Sequence, residues 1–177
     1  MKRPELEHKM EEYIKYLIYD FSEKCVNEKP VIMHSIRVSM NLYELGYDEK
    51  IVLNALLHDV VEDSNISLKE LEEKFDLETA LLVSSLTENK NIKDKIKRNE
   101  ELIDRSVTYG FRSLVIKCAD ILDNSNYHYL VTDKVVSDRL FKKYEYFLKR
   151  AVLIKDEKIY KQLEEQVCIL KEKMEVK

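Results

Sequence analysis

Residues 51–63 read IVLNALLHDVVED, and this run decides the fold. A helix turns about 100° per residue, so positions i, i+1, i+4 and i+5 fall on one side. His58, Asp59, Glu62 and Asp63 therefore share a face, while Leu53, Leu56, Leu57, Val60 and Val61 form an apolar stripe opposite. The pattern predicts a buried helix with one polar, convergent edge. Two readings compete for that edge. Glu62 and Asp63 are a solvated face with His58-Asp59 ending an ordinary amphipathic helix, or the imidazole and its neighbouring carboxylate bind a borderline transition metal. Two adjacent ligands cannot complete such a site, so the metal reading requires donors from elsewhere in the chain.

Working outward, Asp48 is placed to start this helix, which is expected to end near Ser64-Asn65. Upstream, IMHSIRVSMNLYEL (32–45) reads as a helix closed by Gly46 in a left-handed cap. A short connection makes the two helices antiparallel neighbours. His34, early in the first, can then lie beside His58-Asp59, late in the second. Downstream of Gly110, SLVIKCADILDNSNYHYL carries Leu114, Val115, Cys118 and Leu122 at helical spacing, with Asp120 and Asn124 four apart on one face. An aspartate in so apolar a setting needs a partner. That partner is either a salt bridge to Lys117 or Arg37, or a metal that it shares with His34, His58 and Asp59. His128 has a tyrosine-rich neighbourhood and reads as a packing residue, and His8 as a solvated one.

The remaining chain agrees with an all-helical protein. Its 177 residues contain two glycines and two prolines, which suits a single domain over 1–177 with short connections. Helices are expected over 4–22, over SLKELEEKF with a Ser67/Glu70 capping box, from Asp76 through LETALLVSSLT, and over about 133–151 and 156–175. Core positions in the last two include Tyr144, Phe147, Val152, Ile159, Leu163 and Val167. SEKCVNEKP (22–30) is a loop or fraying turn ending at Pro30. The polar stretch ENKNIKDKIKRNEEL (88–102) is an exposed helix start or mobile loop, or it points Lys95, Lys97 or Arg98 at an anionic ligand.

Composition excludes some function classes. Thirty Lys and Arg against 34 Asp and Glu leave a net charge of −4, which argues against wholesale nucleic-acid binding. No run approaches the roughly 18 uninterrupted apolar residues of a membrane span, and MKRPELEHKM lacks an apolar signal core. Cys25, Cys118 and Cys168 are far apart with no CxxC pair, as expected of reduced thiols in a cytoplasmic protein. A homo-oligomer surface on the last helices stays open.

The ordered set His34, His58-Asp59 with Glu62-Asp63, and Asp120 with Asn124 resembles the HD-domain metal phosphohydrolases. More narrowly, residues 29–75 and LVIKCADILDN (114–124) look like the hydrolase domain of RelA/SpoT-type enzymes and their small stand-alone forms. The resemblance covers most of residues 30–130. It implies an all-helical HD-type bundle holding one divalent ion, usually Mn²⁺, on His34, His58, Asp59 and Asp120. It also implies cleavage of the 3′-pyrophosphate of guanosine tetra- and pentaphosphate, with Glu62 and Asp63 handling the attacking water and proton transfer. Asn124 would contact the ribose, and Lys95 and Arg98 are the candidate phosphate contacts.

Three departures bear on substrate choice. The family's Arg-Lys pair that clamps the guanine is replaced by Cys25-Val26. The usual ADRLHN appears as Ala119-Asp120-Ile121-Leu122-Asp123-Asn124, and Tyr127 stands where a threonine is common. An HD-type nucleotidase or phosphodiesterase acting on another nucleotide, or a nucleotide-binding module without turnover, are the alternatives. The Glu62-Asp63 pair argues against the binding module, because binding alone needs no water-activating carboxylates.

Overall fold

The computed structural model describes residues 3–24 and 31–175, and all regular structure among them is helical, with no strand. The chain divides into two compact units, residues 1–87 and 88–177.

In the first unit, α1 (Arg3–Tyr16) continues through a π-helical turn, Leu17–Phe21, into the short α2 (Ser22–Lys24). The expected helix over 4–22 is thus interrupted by a wider turn, which still buries Leu17 and Phe21. Cys25-Val26 and Pro30 lie outside the described residues. α3 (Val31–Glu44) and α4 (Glu49–Leu57) follow. Gly46, at φ +84°, ends α3 in the left-handed conformation that lacks steric cost only for glycine. Asp48 caps α4 by accepting from the Ile51 amide at 3.0 Å. The Ser39 hydroxyl donates to the Val52 carbonyl at 2.8 Å and ties α3 to α4. Ile51, Val52, Leu53, Ala55, Leu56 and Leu57 are buried. α4 is therefore covered on nearly every side, and its pattern alone did not reveal this.

The helix expected to run through residue 63 breaks at His58-Asp59 and resumes as α5 (Val60–Asp63). The His58 ring engages the Ala55 carbonyl at 2.8 Å, the same acceptor that the Asp59 amide would use in an uninterrupted helix. Asp59 relaxes to φ −101°, ψ −1°, and its own carbonyl starts the next turn by accepting from the Glu62 and Asp63 amides, both at 3.0 Å. α6 (Leu68–Lys74) has the expected capping box, with Ser67 and Glu70 bonded in both directions. α7 (Leu77–Leu86) is capped by Asp76, which accepts from the Thr79 amide at 2.6 Å.

In the second unit, α8 (Lys95–Tyr109) is capped by Asp94, and Gly110 at φ +110° separates it from α9 (Phe111–Ser125). That backbone conformation is essentially restricted to glycine. α9 is the buried strut of this unit, packed against α8, α11 (Lys158–Glu175) and a 3₁₀ turn at Val152–Ile154. Leu114, Val115, Ile116, Cys118, Ala119 and Ile121 are all buried. α10 (Lys134–Arg150), capped by Asp133, adds Phe141, Tyr144 and Phe147 to the core. Val152, expected in that core, is exposed on the 3₁₀ turn, where Ile154 points inward instead. Among the described residues no helix is long and apolar enough to cross a membrane.

Asp76 also links elements. Besides capping α7 it pairs with Lys50 of α4 at 2.8 Å, and the Lys50 bond is the main reason its carboxyl titrates at about 2 rather than near 3.8. The folded-state value is depressed, so the stabilisation is complete above about pH 4 and is lost as pH falls toward 2. Asp76→Ala is expected to cost about 1 kcal/mol at neutral pH through the lost cap. In urea titrations its stability should differ from wild type by less at pH 2.5 than at pH 7. An undiminished difference at low pH would show that the carboxylate contributes nothing.

Candidate functional site

The polar edge of the first unit is built from two helix ends. His34 sits in the first turn of α3, buried, with its Nε2 3.2 Å from Nε2 of His58. Asp59 Oδ2 lies 3.5 Å from His34 Nε2 and 3.3 Å from His58 Nε2. Three donor atoms from two helices thus converge, as the antiparallel reading of α3 and α4 requires. The geometry also fixes the chemistry of one ring. His58 is 1% exposed, and a ring nitrogen facing a carbonyl at 2.8 Å must carry its proton there. Nδ1 of His58 therefore donates to that carbonyl, and Nε2 faces His34 and Asp59, where a neutral ring has a lone pair to offer a cation. A metal-binding histidine is typically oriented in this way, with its distal N–H given to a backbone carbonyl.

Asp59 occupies the N-cap position of α5, yet its side chain makes no capping bond. Its carboxylate is turned to the imidazoles instead. Glu62 and Asp63, both half-buried, follow within one turn, and their amides are tied to the Asp59 carbonyl. The break at His58-Asp59 thus keeps the acidic pair in register with the donor cluster. Two imidazole nitrogens and a carboxylate oxygen fit a divalent transition-metal ion.

In the second unit, Asp120 is 4% exposed on α9. Lys117 Nζ reaches its Oδ2 at 2.9 Å, and the Asn124 amide donates to its Oδ1. The Lys117 salt bridge, one of the two partners open to Asp120 on the sequence, is present. Asn124 is directed by its own helix onto Asp120. Lys95 and Lys97 are exposed in the first turn of α8. Arg98 is half-buried, with Nε bonded to the Ile92 carbonyl at 2.8 Å and Nη1 to Glu88 at 3.2 Å. These two bonds close the 88–94 loop that the sequence left open. His128 is buried between Ser137 (2.9 Å) and Tyr144 (3.3 Å), and burial pulls its pKa below the ordinary histidine value. It packs, as expected, and His8 is exposed. The carbonyl of Ala55 is the one contributor that no side-chain pattern announces.

A model of the HD domain family matches residues 12–134. The guanosine-3′,5′-bis(diphosphate) 3′-pyrophosphohydrolase of Aquifex aeolicus is 32% identical over 114 residues, 60% of this chain and 16% of the relative. The corresponding Drosophila melanogaster enzyme, MESH1, is 35% identical over 103 residues, 57% of each chain. The chain thus spans about one sixth to just over half of the length of these relatives. Among solved structures, a metazoan ortholog of SpoT that hydrolyzes ppGpp superposes with a TM-score of 0.75 at 27% identity, covering 89% of this chain and 93% of that one. The Listeria monocytogenes protein lmo0812 shares the fold, with a TM-score of 0.68 at 24% identity.

The donor geometry makes a direct expectation. His58→Ala and Asp59→Asn should each lose bound divalent metal, measured by elemental analysis after gel filtration, while far-UV circular dichroism stays helical. Retention of the full metal complement by either variant would show that these are not the ligands.

Proposed function

Because the chain belongs to the HD domain family, we propose that it is a metal-dependent phosphohydrolase that removes the 3′-pyrophosphate of guanosine tetra- or pentaphosphate. The observation that carries this reading is the convergence of His34 Nε2, His58 Nε2 and Asp59 Oδ2, with the His58 ring oriented by the Ala55 carbonyl. Support for the substrate comes from relatives named as guanosine-3′,5′-bis(diphosphate) 3′-pyrophosphohydrolases and from the structural likeness to the ppGpp-hydrolysing ortholog. The family match runs unbroken from residue 12 to 134, and on this reading residues 1–177 act as one hydrolase domain.

The proposed ligand set is His34, His58, Asp59 and Asp120, and the proposed ion is Mn²⁺. A bound divalent ion supplies Lewis acidity to a phosphoryl oxygen and brings the pKa of water down toward neutrality. The protein's own groups do the rest. Glu62 and Asp63, half-buried and one turn beyond Asp59, orient the attacking water, accept its proton and pass a proton to the leaving oxygen. Asn124 contacts the ribose while its amide stays on Asp120. Lys95 and the remaining guanidinium nitrogen of Arg98 neutralise phosphate oxygens as charge builds on the leaving pyrophosphate. The substrate class and the unpaired Cys118 and Cys168 thiols fit a cytoplasmic site of action.

One observation favours a second reading. Cys25-Val26 stand where an Arg-Lys clamp would hold the guanine, so a different nucleotide base is the runner-up substrate.

With Mn²⁺ the protein should release pyrophosphate from ppGpp, and Glu62→Gln should lower kcat by roughly 100- to 10,000-fold with metal binding unchanged. Pyrophosphate released faster from the adenosine equivalent would transfer the reading to another base. Orthophosphate released only from nucleoside monophosphates would overturn it in favour of a nucleotidase.

A further inference from the structure

α9 carries one buried charge, Lys117, that the proposed reaction does not use directly. Lys117, Asp120 and Asn124 are spaced i, i+3 and i+7, so they stack along one face of a single helix. The two charged members are 5% and 4% exposed. An ammonium and a carboxylate this deep are costly to desolvate, and such a pair is favourable only when its geometry is close and its remaining sites are bonded. Both conditions hold: Lys117 Nζ is 2.9 Å from Asp120 Oδ2, and the Asn124 amide is on Oδ1. Asp120 is thereby gripped from the turn below and the turn above by groups of its own helix.

The surroundings keep water away from this grip. The neighbouring Tyr144 is 2% exposed, and its hydroxyl is pushed up to about 12, first by burial and then by the negative charge of Asp120. In so dry a setting a carboxylate rotamer held on both oxygens has little freedom.

We infer that Lys117 is a positioning residue that holds the Asp120 carboxylate in the orientation a divalent cation requires. This rests on Asp120 being a ligand, as proposed above. Lys117 does not touch the reacting atoms. It acts through Asp120, and its removal therefore shows in metal affinity before it shows in chemistry. Partners of this kind, one bond removed from the ion, are typically worth roughly 10- to 100-fold in metal affinity. A competing role is chemically distinct: an ammonium that merely occupies the cation's place would be displaced by the ion, and its removal would tighten binding.

The test is titration of Mn²⁺ into the metal-free full-length chain by calorimetry, for wild type, Lys117→Met and Lys117→Gln. Melting temperatures of the metal-free forms are recorded alongside. Lys117→Met should bind Mn²⁺ roughly 10- to 100-fold more weakly. Lys117→Gln, which keeps a shorter donor, should fall between it and wild type. At saturating Mn²⁺ the KM for nucleotide should stay at the wild-type value. If the methionine variant does not fold, the glutamine variant decides. Mn²⁺ affinity equal to or tighter than wild type, in whichever variant folds, overturns the inference. Failure of the wild-type chain to bind Mn²⁺ would instead remove the metal reading itself, so the two failures are separable.

Discussion

The bond between the His58 ring and the Ala55 carbonyl is the constraint on which the site depends. It does two things at once. It places a proton on Nδ1 and turns Nε2 toward His34 and Asp59. It also engages the acceptor that would continue α4, and the helix loosens at the one place where two adjacent side chains must face the same point. A regular helix would separate neighbouring residues by about 100°. Across the relaxed backbone at Asp59, α5 starts from the Asp59 carbonyl, so Glu62 and Asp63 stay within one turn of the donors.

Everything else in the first unit holds that corner in place. Leu53, Leu56, Leu57 and Val60 are buried on the opposite side, so the polar edge cannot rotate inward without withdrawing them. Ser39 locks α3 to α4 by its bond to Val52, and this fixes the height at which His34 meets His58. Gly46 and Asp48 set the length and start of the connection between those helices. Each half of this corner lies at the end of a helix anchored in the core, α4 on nearly every side and α3 through Val31, Val38 and Leu42. Rigid elements of this kind hold a ligand set more accurately than loops do.

The sequence revealed the helices and the polar edge because both rest on periodicity. The His58, Asp59, Glu62 and Asp63 face was legible even though the helix breaks, since the dihedrals at the break stay in the right-handed region. Caps at Asp48, Ser67 and Asp76 were legible because a side-chain acceptor three residues before an amide is a local signal. The break itself was not, because the acceptor is a backbone carbonyl and carries no residue identity. Nor was the fate of Arg98, whose bond to the Ile92 carbonyl depends on the path of a loop. The i, i+3 spacing of Lys117 and Asp120 allowed the salt bridge but did not require it. The position of the base clamp, Cys25-Val26, lies outside the described residues.

On the proposed reading, one divalent ion is held by His34, His58, Asp59 and Asp120. The most direct test is anomalous diffraction from crystals of the full chain soaked in Mn²⁺, collected on both sides of the manganese edge. A single strong anomalous peak within coordination distance of all four side chains is the expected result. A peak elsewhere, or one that contacts the two histidines without Asp120, would rule this ligand set out.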